Sequence, residues 1–172
     1  MVRRDEIRPG EVAVEPPAAT DAGLVFIGRI RTPWTDRLDC PRQGRRDGPV
    51  CRIELFAPWD GGLDGLERYA SIEVLYWLDR SRRDLLRQSP KSDGTSRGTF
   101  SLRSPVRPNP IGTSLVTLVG IAGGVVSVRG LDCLDGTPLI DLKPDRCGFT
   151  PLAPRQPGDD DVDTGRAGVP PA

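Results

Sequence analysis

Two apolar stretches, TSLVTLVGI (113–121) and VVSVRGL (125–131), are separated only by Ala122-Gly123-Gly124. Both arms are rich in β-branched residues, and the paired glycines suit a tight reversal between strands. A β-hairpin is predicted there. LVFIGRIRT (24–32) is apolar and then alternates, VCRIELFA (50–57) alternates, and TPLIDLK (137–143) reads as a last strand. SIEVLYWL (71–78) is an almost continuous apolar run suited to a central strand. GLDGLERYA (62–70) has room for one helical turn, and SRRDLLRQS (81–89), stopped by Pro90, is the one helix-like piece. Gly 20 and Pro 18 in 172 residues favour strands and loops over long helices. The predicted class is all-β, a small barrel with short helical turns.

Residues 1–22 are polar and proline-bearing without a sustained period and are predicted to form a mobile arm. Residues 151–172 carry an aspartate cluster, many prolines and almost no large apolar side chains, so burial there cannot offset the entropy of ordering. The folded domain is predicted over 23–150. KSDGTSRG (91–98) is expected to be a flexible loop.

Lys+Arg and Asp+Glu balance at 24 each, so net charge gives no push toward nucleic acid, though local arginine clusters still can. There is no histidine, which removes imidazole metal ligands and Ser-His or Cys-His nucleophile pairs. Cys40, Cys51, Cys133 and Cys147 form no C-x-x-C motif. They are expected to be free, buried structural thiols, and no metal is expected. No apolar run of about 18 residues suggests a membrane span or a signal segment. The expectation is a cytoplasmic protein.

Three segments carry candidate chemistry. In LDCPRQGRRDGP (38–49), Pro41 restricts the backbone ahead of Arg42 and Gln43. Gln43 offers both a donor and an acceptor, as an adenine or amide edge requires. In LRSPVRPNPIG (102–112), Pro105, Pro108 and Pro110 restrict themselves and their predecessors. Arg103, Arg107 and Asn109 would then project from a stiff scaffold, where arginines suit a carboxylate or phosphate. In LDCLDGTPLIDLKP (131–144), Asp132 and Asp135 flank Leu134 at a turn and can cap amides or bind ribose hydroxyls. Asp141 and Lys143 share a strand face.

Together these segments resemble the TsaA-like family, also called TrmO or YaeB-like: S-adenosylmethionine-dependent tRNA methyltransferases on a small β-barrel. The resemblance lies in FIGRIRTPW (26–34), PRQG (41–44), GLERYASIEVLYWL (65–78), RGTFSLRSPVRPNPIGTSLVTLVGI (97–121) and GLDCLDGTPLIDLKP (130–144). It implies a cofactor pocket of Pro41, Arg42, Gln43, Leu78, Asp79, Arg103, Leu115, Asp132, Leu134, Asp135, Gly136 and Thr137. Asp79 stands where the family usually has His, Arg80 where Gln is frequent, and Asp145 where Tyr follows the last Lys-Pro. The chain looks like a single-domain member.

The resemblance further implies methyl transfer to N6 of a threonylcarbamoyl-adenosine next to the tRNA anticodon, and a homodimer. An open barrel edge and the apolar 71–78 strand would suit pairing. The proton released from the amine has Asp132, Asp135, Asp141 or water as acceptors. Asp132, Asp135 and Lys143 form the candidate catalytic set; Lys143 would orient a phosphate, or else pair with Asp141 or Asp145. Arg45, Arg46, Arg97, Arg107 and Asn109 are candidate RNA contacts. The alternative is a non-catalytic S-adenosylmethionine-binding sensor, motivated by Asp79 and Asp145.

Overall fold

Alternating burial runs through the long strands, and it sets their pairing. A computed structural model describes residues 7–15, 18, 22–90 and 94–145. In chain order the strands are β1 (Val12–Ala13), β2 (Gly28–Arg31), β3 (Val50–Leu55), β4 (Ser71–Trp77), β5 (Leu85–Gln88), β6 (Arg97–Gly98), β7 (Ile111–Ala122), β8 (Val125–Arg129) and β9 (Pro138–Pro144). Short 3-10 turns occupy Trp59–Leu63, Leu66–Arg68 and Thr99–Ser101. Six strands close a barrel in the order β2-β3-β8-β7-β4-β9, every neighbour antiparallel, with β9 returning to β2 through Gly28 opposite Leu139.

The all-β barrel expected from the sequence is the fold observed. The interior is aliphatic: Ile30, Ile53, Ile72, Val74, Val116, Val126, Val128 and Leu139 are all but sealed from solvent. The apolar β4 run is a central strand, as expected, flanked by β7 and β9, and its burial alternates: Ile72, Val74 and Tyr76 point inward, and Glu73, Leu75 and Trp77 are half-buried outside. β7 is long enough to serve two neighbours, pairing with β4 over 111–117 and with β8 over 117–122. A register break between Leu118 and Gly120 bends it around the barrel. The predicted hairpin joins β7 to β8, with Gly123 at φ 56° and Gly124 at φ 75°, a pair of left-handed residues suited to glycine.

Two readings of the sequence are corrected. Residues 81–89 are not helical: Leu85–Gln88 form β5, the centre of a small sheet ordered β1-β5-β6. The stretch has good helix formers but lies between two partners that satisfy its backbone, and Leu85 and Gln88 are buried. The N-terminal segment is not a free arm throughout, because β1 pairs Val12 with Arg87 and Ala13 with Leu85. The tail from 151 and Cys147 lie outside the described residues. The closed barrel also removes the open edge expected to support pairing of two copies.

A candidate site at one rim of the barrel

Antiparallel closure brings three connections to the same rim: 32–49 after β2, 78–110 after β4, and 130–137 after β8. These hold the three segments singled out in the sequence. Leu131 and Cys133 are buried and plug this rim, which turns the alternate residues Asp132 and Leu134 toward its surface.

The 41–44 loop is pressed onto the 130–132 strand end. A Cβ built on Gly44 would meet the Gly130 carbonyl oxygen at 1.7 Å, so only glycine allows that approach. The Cys40 thiol donates to the Asp132 carbonyl at 3.2 Å. Burial first, then the Asp132 charge, push that thiol up to about 11. Cys40 is only half-buried, unlike Cys51 and Cys133, and all three are free thiols. Pro41 is half-buried, while Arg42 and Gln43 are exposed. On its other side Gly130 lies beside the Leu115 backbone, its built Cβ 3.5 Å from the Leu115 oxygen. Leu115 itself points outward, 53% exposed.

Asp132 is held at one oxygen by two hydroxyls. Its Oδ1 accepts from the Tyr76 hydroxyl at 2.9 Å and from the Ser114 hydroxyl at 2.8 Å, and those two oxygens are 2.9 Å apart. Tyr76 and Ser114 are both buried, and burial, then the charge of Asp132, hold the phenol well above its usual range. Tyr76 lies across Gly112, its cross-strand partner: a Cβ there would meet the ring at 2.1 Å. Sequence reading passed over both hydroxyls. Tyr76 sits inside an apolar strand and Ser114 inside an alternating one, and only the strand register shows that they converge.

Asp135 is committed elsewhere. Its backbone amide donates to Trp34 O at 2.7 Å, its Oδ1 accepts from the Thr32 amide at 3.1 Å, and its Oδ2 is 3.7 Å from Arg31. Gly136, at φ 81°, donates to Ile30 O, and Thr137 closes the turn by donating its hydroxyl to Leu134 O at 2.7 Å. This segment therefore ties the β8–β9 connection to the end of β2. Leu78 donates to Pro110 O at 2.8 Å, joining the end of β4 to the start of β7, and Asp79 beside it is exposed.

The proline-rich loop divides its arginines. Arg107 turns back and donates to Leu102 O at 2.6 Å and Ser104 O at 3.4 Å, so it holds the loop rather than reaching outward. Arg103 and Asn109 are exposed. Arg45 forms a two-pronged pair with Asp47 at 2.9 and 2.7 Å, whereas Arg46 and Arg97 are exposed. Lys143 is not brought to the rim. It pairs with Asp141 on the outer face of β9, opposite Glu73, and five residues beyond Pro138. At about 3.3 Å per residue this places it about 16 Å down the strand.

A shallow cleft of about 680 Å³ lies on the outer wall below the rim, lined by Arg31, Thr32, Arg52, Glu54, Ser127, Asp135 and their neighbours. It shares Asp135 with the rim, but its charges are largely spent on one another: Arg31 is 2.8 Å from Glu54, and Arg52 is 3.9 Å from the same carboxylate. Among the described residues no helix is long and apolar enough to cross a membrane.

The sequence from 29 to 146 matches the model of a family described as the tRNA-methyltransferase O N-terminal domain. A probable S-adenosyl-L-methionine-binding protein VirR of Rhizobium radiobacter is 55% identical over 154 residues, 90% of this chain and 88% of that one. A tRNA (adenine(37)-N6)-methyltransferase of Mus musculus is 36% identical over 137 residues, covering 73% of this chain but 32% of the mouse protein. The crystal structure of TrmO from Pseudomonas aeruginosa superposes with a TM-score of 0.62 at 29% identity, over 81% of this chain and 63% of that one. With its barrel, its rim loops and its match over 29–146, this chain belongs to the tRNA-methyltransferase O N-terminal domain family.

Proposed function

We propose that this protein is an S-adenosyl-L-methionine-dependent methyltransferase acting on N6 of an adenosine beside the tRNA anticodon, in the form carrying a threonylcarbamoyl group. The observation that carries the reading is the meeting, at one rim, of the 41–44 loop with the Asp132 segment, supported by the family match. Relatives named as S-adenosyl-L-methionine-binding proteins and as an adenine-N6 methyltransferase support it from two sides.

S-adenosyl-L-methionine is the cofactor, and it supplies an electrophilic methyl group on a positively charged sulfur. The rim suits such a molecule chemically. Gln43 presents an exposed amide for an adenine edge, Arg103 a guanidinium for a carboxylate, Leu115 an apolar surface, and Asp132 a negative charge. Leu78, Asp79, Leu134, Gly136 and Thr137 complete the wall. Holding two reactants in line contributes most of the effect in a displacement of this kind.

An exocyclic amine that gains a methyl group loses a proton. Of the three carboxylates weighed from the sequence, Asp135 has both oxygens drawn into holding the loops, and Asp141 is paired with Lys143 far down β9. Asp132 remains: Oδ1 is anchored, and among the described residues nothing donates to Oδ2. Lys143 leaves the catalytic set. Anticodon-loop bases unstack readily, so the target can be splayed onto the rim. Arg46 and Arg97, with Asn109, are the candidates for RNA contact, and Arg45 is available only at the expense of Asp47.

Homodimerisation belongs to the same reading. With the barrel closed, the supporting feature is the outward face of β7, where Ile111, Leu115 and Val119 are 44%, 53% and 52% exposed beside half-buried Trp77. A cytoplasmic location fits the family's substrate.

The test is transfer of labelled methyl from S-adenosyl-L-methionine to total tRNA from a strain lacking this gene, followed by separation of the nucleosides. Label in a methylated threonylcarbamoyl-adenosine supports the reading. Cofactor binding without transfer to any RNA replaces it with the sensor.

A further inference from the structure

We infer that Tyr76 and Ser114 are positioning residues: they fix the Asp132 carboxylate so that Oδ2 faces the substrate and takes the amine proton. The inference rests on the methyl-transfer reading for its chemistry and on three interatomic distances for its geometry. Both hydroxyls donate to the one oxygen, Oδ1, at 2.9 and 2.8 Å. A carboxylate held by two donors on one oxygen cannot rotate without losing both. The oxygen left over is the one without a donor among the described residues.

The surroundings argue that this arrangement is more than packing. Tyr76 is 4% and Ser114 8% exposed, in a barrel interior that is otherwise mainly aliphatic. Phe at 76 and Ala at 114 would fill nearly the same space with no polar group to satisfy. Tyr76 instead carries a hydroxyl that must be satisfied, and Asp132 satisfies it while the ring lies against the bare backbone of Gly112. The three residues come from β4, β7 and the β8–β9 connection, so the carboxylate is referenced to the rigid wall rather than to its own loop.

The step balances simply. The N6 lone pair forms the new N–CH3 bond as the S–CH3 bond breaks and its electron pair returns to sulfur. The N6 proton passes to Asp132 Oδ2, and from there to solvent.

The test uses the full chain with Tyr76→Phe, Ser114→Ala, Ser114→Thr and Asp132→Asn. The first readout is independent of catalysis: crystal structures of wild type and variants at one pH, read for the Asp132 side-chain conformation. Removing either hydroxyl takes a donor from Oδ1, so the carboxylate is expected in more than one rotamer in Tyr76→Phe and Ser114→Ala, while wild type and Ser114→Thr keep a single one. The second is kinetic. Tyr76→Phe and Ser114→Ala lower kcat by at least about 10-fold with KM for the cofactor within about 2-fold, and in the Asp132→Asn background they add almost nothing. A carboxylate that keeps its single wild-type conformation in both Tyr76→Phe and Ser114→Ala, or losses that multiply in the Asp132→Asn background, overturns the inference. If wild type methylates no RNA, the functional reading fails on its own, and the variant structures still decide whether the hydroxyls hold the carboxylate.

Discussion

Gly44 and Gly130 meet backbone to backbone, closely enough that a methyl group on Gly44 would fall 1.7 Å from the Gly130 oxygen. The contact fixes the height of Pro41, Arg42 and Gln43 above Asp132. Gly44→Ala must push the two loops apart, because neither partner is a flexible side-chain end. The variant is expected to lose about 1–3 kcal/mol of stability and to bind S-adenosyl-L-methionine at least about 10-fold more weakly. Thermal unfolding and calorimetric titration check this, and an unchanged dissociation constant would count against a cofactor role for the 41–43 loop.

Gly112 offers a sharper contrast. A Cβ there meets the Tyr76 ring at 2.1 Å, whereas one on Gly120, farther along the same strand, meets nothing within 4 Å. Gly112→Ala is therefore expected to displace Tyr76, destabilise the barrel by about 1–3 kcal/mol and depress methyl transfer. Gly120→Ala is expected to fold and react close to wild type. Equal behaviour of the two would contradict the ring packing described.

Cys40 is exposed enough to be reached but disfavoured as a thiolate. With its midpoint pushed up to about 11, only about one molecule in a thousand is ionised at pH 8. Alkylation by iodoacetamide should rise about tenfold per pH unit and level off near 11. Asp132→Asn removes the second cause of the shift, so it should speed alkylation at fixed pH, while burial keeps the thiol slower than a free one. The stability that Cys40 contributes is present below its ordinary value of 9.0 and is lost as pH rises through about 11.

The arginines of the 37–46 stretch should separate by salt dependence. Arg46 is exposed, and Arg46→Ala is expected to reduce the slope of log K for tRNA against log salt by about 1. Arg45 already donates twice to Asp47, so Arg45→Ala should change the slope less, and Asp47→Asn should bring its effect up to that of Arg46. Filter binding across a salt series would measure all three.

Arg103 and Arg107, four residues apart, should fail differently. Arg107→Ala removes the donor to Leu102 O and Ser104 O and is expected to cost about 1–2 kcal/mol, with faster amide exchange over 102–110. Arg103→Ala should leave unfolding unchanged and weaken the cofactor. A stability loss at 103 with none at 107 would reverse the assignment.

The barrel was readable because its strands alternate and its main turn is Gly123-Gly124, features carried by local composition. β5 was not, because Leu85–Gln88 owes its conformation to partners on either side, one of them more than seventy residues away. The rim residues were legible as segments: proline before Arg42 and Gln43, and the Asp132–Thr137 turn. Their division of labour was not. Asp132 and Asp135 look alike in sequence, yet cross-strand neighbours give one a free oxygen and the other none. Lys143 looked close to Asp135 along the chain, and strand geometry carried it to the other half of the barrel.

Closure of the six-strand sheet has a consequence for the chain in crowded solution. Each barrel strand has a partner on both sides, so no strand of the wall is open to a second chain along its whole length. Among the described residues, the strands with a partner on one side only are β1 and β6 of the small sheet, and each is two residues long. Such stubs cannot template extended pairing. A chain whose regular structure is mainly strand is thereby protected against fibrillar aggregation for as long as the barrel stays shut, and conditions that open it convert the same apolar strands into sticky ones.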